Sequence, residues 1–515
     1  VLATLAIYAR AGAVALGRPI SDFYVAGRLV PAMFNSMAIA IGVVSVLTFA
    51  GLAGALSQGW DGASLLVLGG GGAVLVIGLL LAPYLRKFGG YTLPDFLGER
   101  FGGGVRPLAV LAVILCSFPA LALVLMGLGA IAMRVFGVGT GTGIALAAFM
   151  LLLCSFPAGM RSASLTQVLQ YAVLLAVSLV ALAISLAQQG SLLPVLSAAD
   201  LDKAFAMIRL ESFAASDPVN RFAQLFCLVT GIASLPHLLL RALVTPSIDE
   251  ARTSFIWALP FAAALCLVAA AYVPLFGAAP SDWGATLSFG LTGTGAIAAL
   301  LAAGSGLLLA IANALSYDLY YKSLHLTAST DRRILIARLA TVLVAGLAAW
   351  AAFKVPETIP AMTGPSFSLA ASALLPCLLL GIWWKRATPQ GALAGMLAGL
   401  AVCLYYMLAP RYLPFAFYET SSFLSNATAE EAARYAALRQ NYYLAADETA
   451  RQAALTAWRD IASAVANWGG VKKDFAALFA VPVGFLVMIG VSLFTPAPSR
   501  DVQSFVEDLR KPSVA

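Results

Sequence analysis

Charge is what this sequence has least of. Only 11% of its 515 residues are Asp, Glu, Lys or Arg, against roughly 25% in soluble domains. With 61% hydrophobic residues and a mean hydropathy of +0.91, that scarcity excludes a soluble chain of two or three domains and leaves a polytopic membrane protein. Histidine is scarcer still: two residues are too few for a histidine-based metal centre. The net charge of +7 sits in short loops between apolar runs, with no basic stripe and no aromatic-rich module, which excludes a nucleic-acid binder. The six cysteines (Cys116, Cys154, Cys227, Cys266, Cys377 and Cys403) lie inside apolar runs at irregular spacing. They read as buried free thiols, neither disulfides nor metal ligands. No HExxH, GxSxG, Walker A or Rossmann fingerprint stands in a suitable context, so the chain implies no enzyme, no cofactor and no nucleotide-driven pump. The glycine run Gly69–Gly72 lies inside an apolar span and serves close helix packing.

What is present is a succession of apolar runs. Those long enough to span fall at about 33–57, 63–84, 106–135, 142–158, 165–188, 220–240, 253–277, 293–317, 334–353, 359–384, 390–409 and 474–495. The eight residues before Arg10 add a partial thirteenth, since a spanning helix needs about 20 residues; the first helix is expected to be truncated. Lys and Arg gather in alternate loops, for example Arg86, Lys87, Arg100 and Arg106, then Lys322, Arg332, Arg333 and Arg338, then Lys385 and Arg386. Ser57–Gly62 and Gly277–Trp283 carry none. By the positive-inside rule the N-terminus faces out and the C-terminal tail faces in.

The five spans of 31–188 and the five of 219–386 form two blocks of similar length and opposite sense, an inverted repeat. Around them lie a partial helix and inner loop at 1–30, an outer loop at 189–218, an additional spanning helix at 387–409, an outer insert at 410–473, and a last helix with tail at 474–515. Each block opens on a helix interrupted by small residues or proline: Gly42, Gly51 and Gly54 in one, Gly231 and Pro236 in the other. Interrupted helices at matching positions point to a midplane binding site in transporters. The insert is rich in Ala, Glu and Arg, and Thr428 followed by Glu430 and Glu431 is a helix start. The span at 293–317 carries Gly304, Gly306, Asn313, Thr294, Ser305 and Ser316, with no formal charge before Asp318. A helix of that composition packs closely and lines a path rather than facing lipid.

Several segments resemble the sodium:solute symporter family, in the right order along nearly the whole chain. They are DFYVAGR (22–28), APYLRKFGGYTLPDFLGERF (82–101), GMRSASLTQVLQYAVLL (159–175), LPHLLLRALVTPSIDEARTS (235–254), SYDLYYK (316–322) and GIWWKRATPQGALAGMLAGL (381–400). Within the family the chain resembles the acetate and monocarboxylate branch. Its ending (475–512) resembles a sub-branch accompanied by a small two-helix membrane subunit. The resemblance implies an all-α leucine-transporter-type fold of two inverted five-helix repeats, alternating access, and a site in the bacterial inner membrane. It implies a small organic anion as substrate and sodium as coupling ion, held by carbonyls near Ala38 and Ile41 and by a Ser-Thr pair on the span at 293–317.

The sequence departs from the family at that pair. Counted back from Asp318-Leu319-Tyr320, the two hydroxyls fall on Ala302-Ala303, whose methyls cannot coordinate a cation. The stretch Ile41-Gly42-Val43-Val44-Ser45 has Gly42 where the branch commonly carries an Asp, and no span offers a midplane carboxylate instead. Ser305, three residues from Ala302, is the remaining cation-site candidate, or a hydroxyl bonded back to its own helix. Ser45, Thr48, Thr230 and Ser234 are candidates for the substrate path, the last two also for interhelical bonding. Arg241, Asp249, Glu250 and Arg252 read as an inner-loop charge cluster, His237 as a packed structural histidine, and Asp318 with Tyr320 as a cap at the inner end of the helix. The expected function is secondary-active transport of acetate or another monocarboxylate. A transporter-like receptor or non-transporting subunit, and an uncoupled facilitator, are the alternatives.

Overall fold

The computed structural model describes residues 6–8, 10, 20–47, 61–189, 217–272, 283–354, 358–413, 427–465 and 467–511. These form helices, with no β-strand among the described residues. Ahead of the first block lies α1 (Ile20–Val25); the block holds α2 (Ala32–Leu47), α3 (Asp61–Val76), α4 (Ala82–Phe88), α5 (Leu93–Phe101), α6 (Val105–Phe136), α7 (Thr140–Ser155) and α8 (Met160–Gln189). The second holds α9 (Pro218–Ala233), α10 (Pro236–Leu243), α11 (Ile248–Tyr272), α12 (Trp283–Asn313), α13 (Thr330–Lys354) and α14 (Thr358–Trp383). Then come α15 (Pro389–Tyr412), α16 (Ala429–Leu444), α17 (Glu448–Val465), α18 (Ala477–Phe494) and α19 (Arg500–Arg510). Two π-helical stretches interrupt this series: Ile77–Leu81 joins α3 to α4, and Ala314–Leu324 continues α12.

Among the described residues, eight helices are long and apolar enough to cross a membrane, and two bent pairs bring the number to ten. α7 is apolar but shorter. The pair α9 and α10 bends by 42° at Ser234-Leu235, where Pro236 at the first turn of α10 cannot donate to the preceding turn. A 100° bend also lies ahead of Gly42, between Ile20–Arg28 and Ala32–Ser45. α2 runs as unbroken helix past Gly42, while Gly51 and Gly54 lie outside the described residues.

The packing is reciprocal, as a two-fold inverted repeat requires. α2, first in its block, packs on α11, second in the other; α9 packs on α3 in the same way. The fifth helix of each block packs on the third of the other, α8 on α12 and α14 on α6, and α6 meets α12 at the centre. α12 with its π-helical continuation is 94% buried over its most apolar window, the highest share of any candidate span. Its small residues make that possible: a Cβ on Gly304 would lie 2.9 Å from Leu151 and 3.0 Å from Val124.

Outside the repeats, α15 and α18 pack closely. A Cβ on Gly391 would lie 2.0 Å from Ser492 Oγ, and one on Gly399 2.3 Å from the carbonyl of Ser372 on α14. The insert forms a helical hairpin, α16 and α17, opened by a capping box in which Thr428 and Glu431 satisfy each other's backbone N–H groups. Trp458 and Tyr435, both buried, anchor the hairpin, and Asn220 ties the chain beyond it to the start of α9 through Gly470 and Lys472. All six cysteines are free, five of them buried.

Candidate functional site

In a membrane interior, polar groups without water must find partners inside the protein. The oxygens and nitrogens that α2, α8, α10 and α12 use on one another outline the candidate site. On α2, Ser45 Oγ donates to the carbonyl of Ile41 at 2.5 Å, so that oxygen is engaged within its own helix. Ala38 and Ile41 are both buried in regular helix. Thr48 lies outside the described residues. On α9, Thr230 Oγ1 donates to Phe226 O at 2.6 Å, and Ser234 Oγ to Thr230 O at 2.7 Å. Three of the four path candidates thus bond to their own helices.

Ala302 and Ala303 are 1% and 2% exposed and packed among apolar side chains. The carbonyl of Ala302 is taken: Gln167 Nε2, on α8, donates to it at 2.8 Å. The same nitrogen donates to Ser305 Oγ at 3.1 Å, and Ser305 Oγ donates to Ala302 O at 3.0 Å. Gln167 is held in turn by Arg241 on α10, which donates to Gln167 Oε1 and, at 2.9 Å, to Ser164 Oγ. Asn35 Nδ2 on α2 donates to the carbonyl of Arg241 at 2.9 Å. A cation would need oxygens facing inward here. The chain instead places an amide donor on the carbonyl, with a guanidinium behind it.

Arg241 is 2% exposed and makes no ion pair among the described residues. This corrects the expectation of an inner-loop charge cluster: Arg241 is on the helix and turned into the bundle, while Glu250 accepts the N–H of Ala32 at 2.8 Å and caps α2. His237, one turn before Arg241, is 4% exposed, and neither ring nitrogen has a hydrogen-bond partner. Gly306 on α12 leaves room beside it, since a Cβ there would lie 3.5 Å from His237 and 3.7 Å from Gln167. Asn35 Oδ1 and both polar atoms of Asn313 are also buried and unpartnered. Unsatisfied buried polar atoms cost about 1–3 kcal/mol each, and here four such atoms lie on His237 and Asn313 with a fifth on Asn35.

The end of the bundle that carries the basic loops is closed. Val30 N donates to Val244 O at 3.2 Å, Arg86 Nε to Thr245 O at 2.6 Å, and Arg161 pairs with Asp22 at 2.8 Å. Tyr24 donates to Ser316 at 3.3 Å, within a cluster of Tyr24, Tyr91 and Tyr317 rings. Asp318, expected as an end cap, is fully buried and accepts Thr92 Oγ1 at 2.6 Å. Arg106 lies 3.9 Å from it and also contacts Asp95 at 3.4 Å and Glu99 at 3.0 Å; Lys322 lies 3.7 Å from Asp95 and 3.1 Å from Glu99. Burial pushes the Asp95 carboxyl up, and Lys322 and Arg106 pull it part of the way back. For the more exposed Glu99, burial acts upward, but Lys322 and Arg106 hold the carboxyl below its ordinary value.

Gln167 is the residue that sequence reading passed over. Its signal was present: Gln167 and Gln170 are long polar side chains in an otherwise apolar run. Among the described residues no group of His, Cys, Asp and Glu could hold a metal ion.

The model of the sodium:solute symporter family matches residues 23–282 and 281–399, more than two thirds of the sequence. The chain belongs to the sodium:solute symporter family. It is 31% identical to an uncharacterized symporter of Cupriavidus necator over 99% of this chain and 92% of that one. It is 27% identical to an uncharacterized symporter of Bacillus subtilis over 75% of this chain and 80% of that one. In three dimensions this symporter is similar to a Na+-coupled sialic acid symporter in a substrate-bound outward-open state, with a TM-score of 0.68 and 16% identity over 96% and 98% of the two chains. That likeness shows the shared fold. The symporter is a multi-pass membrane transporter of a small solute, not an enzyme.

Proposed function

We propose that this symporter carries a small monocarboxylate, acetate or a close relative, across the bacterial inner membrane by alternating access, without sodium at the site on α12. The observation that carries the reading is Gln167 Nε2 on the Ala302 carbonyl beside two alanine methyls. An oxygen that already accepts a fixed donor, next to carbons, offers sodium too few ligands. The anionic substrate is supported by Arg241, a buried guanidinium whose partners here are neutral oxygens. A buried cation without a counter-ion favours an anion nearby. The broken junction of α9 and α10 is the proposed gate, and the blocks 31–188 and 219–386 are the proposed moving repeats. The N-terminus is proposed to face out and the basic-loop end and C-terminal tail to face the cytoplasm. A small two-helix membrane subunit is a proposed partner, checked by copurification.

Counterflow tests the substrate class. Proteoliposomes preloaded with unlabelled acetate should accumulate labelled acetate. Propionate and pyruvate should compete, and acetamide, which matches acetate in shape without its charge, should not. Equal competition by acetamide, or no counterflow with any short carboxylate, would refute the substrate reading. The same degenerate site favours a second mode, equilibration of solute with no coupling ion, which predicts flux independent of both sodium and pH gradients.

A further inference from the structure

The π-helical stretch Ala314–Leu324 is two-sided. One side holds the closed end through Asp318 and Ser316. The other faces α13 across a groove of about 460 Å³, lined by Leu315, Leu319, Tyr320, Ile336, Leu339 and Leu343 among others. Leu339 and Leu343 are 55% and 58% exposed on a candidate membrane span, so the groove opens toward lipid. Its one polar wall group is Tyr320 Oη, which is buried and has no hydrogen-bond partner.

The rim is basic. The Arg332 guanidinium lies 5.9 Å from the Tyr320 ring centroid, and the His325 ring 4.9 Å from it. Arg333 stacks on Tyr321 at 3.5 Å. Neither arginine makes an ion pair among the described residues. From Arg332 to Leu343 is eleven residues of α13, about 16 Å at 1.5 Å per residue. That matches half of a hydrocarbon core about 30 Å thick. An apolar slot one leaflet deep, with cations at its head and an unused hydroxyl in its wall, fits one acyl chain under a negative headgroup.

We propose that this groove binds an anionic phospholipid of the leaflet on the basic-loop side. Its acyl chain lies between the π-helical stretch and α13, and its phosphate lies against Arg332. A free phosphate ion would have no use for the leucine wall. The lipid packs the face of the stretch opposite Asp318, and so holds that stretch against Thr92 and Tyr24. Basic pockets between membrane helices on the cytoplasmic side take anionic headgroups in this way.

The test is native mass spectrometry of the full chain released from nanodiscs of equal phosphatidylglycerol and phosphatidylcholine. The parent should retain phosphatidylglycerol in preference. Arg332→Ala should weaken retention about fivefold, the effect of one basic residue near a charged headgroup. Leu339→Trp, which fills the slot without touching the rim, should also displace the lipid, and Arg500→Ala, basic but remote, should not. Equal retention of both lipids, or Arg332→Ala binding like the parent, would overturn the proposal. So would a dimer or a copurified protein that Leu339→Trp releases, because a protein would then be the occupant.

Discussion

Restoring the two missing hydroxyls is the obvious way to give this symporter a sodium site, and the geometry predicts that it fails alone. In Ala302→Ser/Ala303→Thr the hydroxyls return, but Gln167 Nε2 still donates to Ala302 O at 2.8 Å and to Ser305 Oγ at 3.1 Å. Sodium would have to displace both bonds. At about 1 kcal/mol each, the loss is about 2 kcal/mol, or roughly thirtyfold in affinity. Adding Gln167→Glu removes the donor, supplies oxygens in its place, and keeps an acceptor for Arg241. Thermal unfolding of the purified protein in sodium chloride against choline chloride reads the outcome. Parent and double variant should give the same midpoint in both salts. The triple variant should be stabilised by sodium, by about 2.7 kcal/mol when the ion is at a hundred times its dissociation constant. If the double variant responds to sodium as fully as the triple, Gln167 is not what closes the site. A parent that responds would refute the reasoning outright.

Three further outcomes follow from the packing and the charges. Gly399→Ala places a Cβ 2.3 Å from the Ser372 carbonyl, and should lower stability by about 1–3 kcal/mol; an unchanged unfolding midpoint would contradict the close approach of α14 and α15. Glu250→Ala removes the cap that ties α2 to α11, about 1 kcal/mol, so maleimide labelling of a Ser36→Cys reporter from the basic-loop side should rise several-fold, and unchanged labelling would count against that latch. Glu99→Gln should cost less than 1 kcal/mol, since Glu99 is half exposed. Because the folded carboxyl titrates below its ordinary value of 4.5, its contribution is complete above that pH and lost as pH falls through the folded value. The gap between parent and variant should therefore close in acid, and a gap that widens there would be the wrong sign.

The fold was legible because apolar runs, basic loops and broken helices are periodic signals that lipid imposes on any spanning chain. The second broken helix lies where Pro236 puts it, and the insert's first helix starts at Thr428 as its capping pattern implies. Of the three glycines in the first interrupted helix, Gly42 makes no break, because glycine permits one without requiring it and here Leu238 fills the space beside it, while Gly51 and Gly54 lie outside the described residues. At the site, composition showed that Ala302 and Ala303 lack oxygens, but not what faces them. Gln167 and Arg241 are 74 residues apart in sequence, and nothing local to either predicts their meeting. Arg241 reads as a loop residue because it directly follows an apolar run; the packing of α10 against α12, and bonds from Arg241 to Gln167 and Ser164 on α8, turn it inward. Asp318 reads as an end cap for the same reason, and is buried because Thr92 and Arg106, more than 200 residues earlier, close over it.

The central claim is transport of a carboxylate without sodium at the family's site. Initial rates of labelled acetate uptake into proteoliposomes, measured over a range of acetate concentrations with an inward sodium gradient and with choline in its place, test it most directly. The account predicts saturable uptake at the same rate in both. Uptake that appears only with the sodium gradient would contradict it.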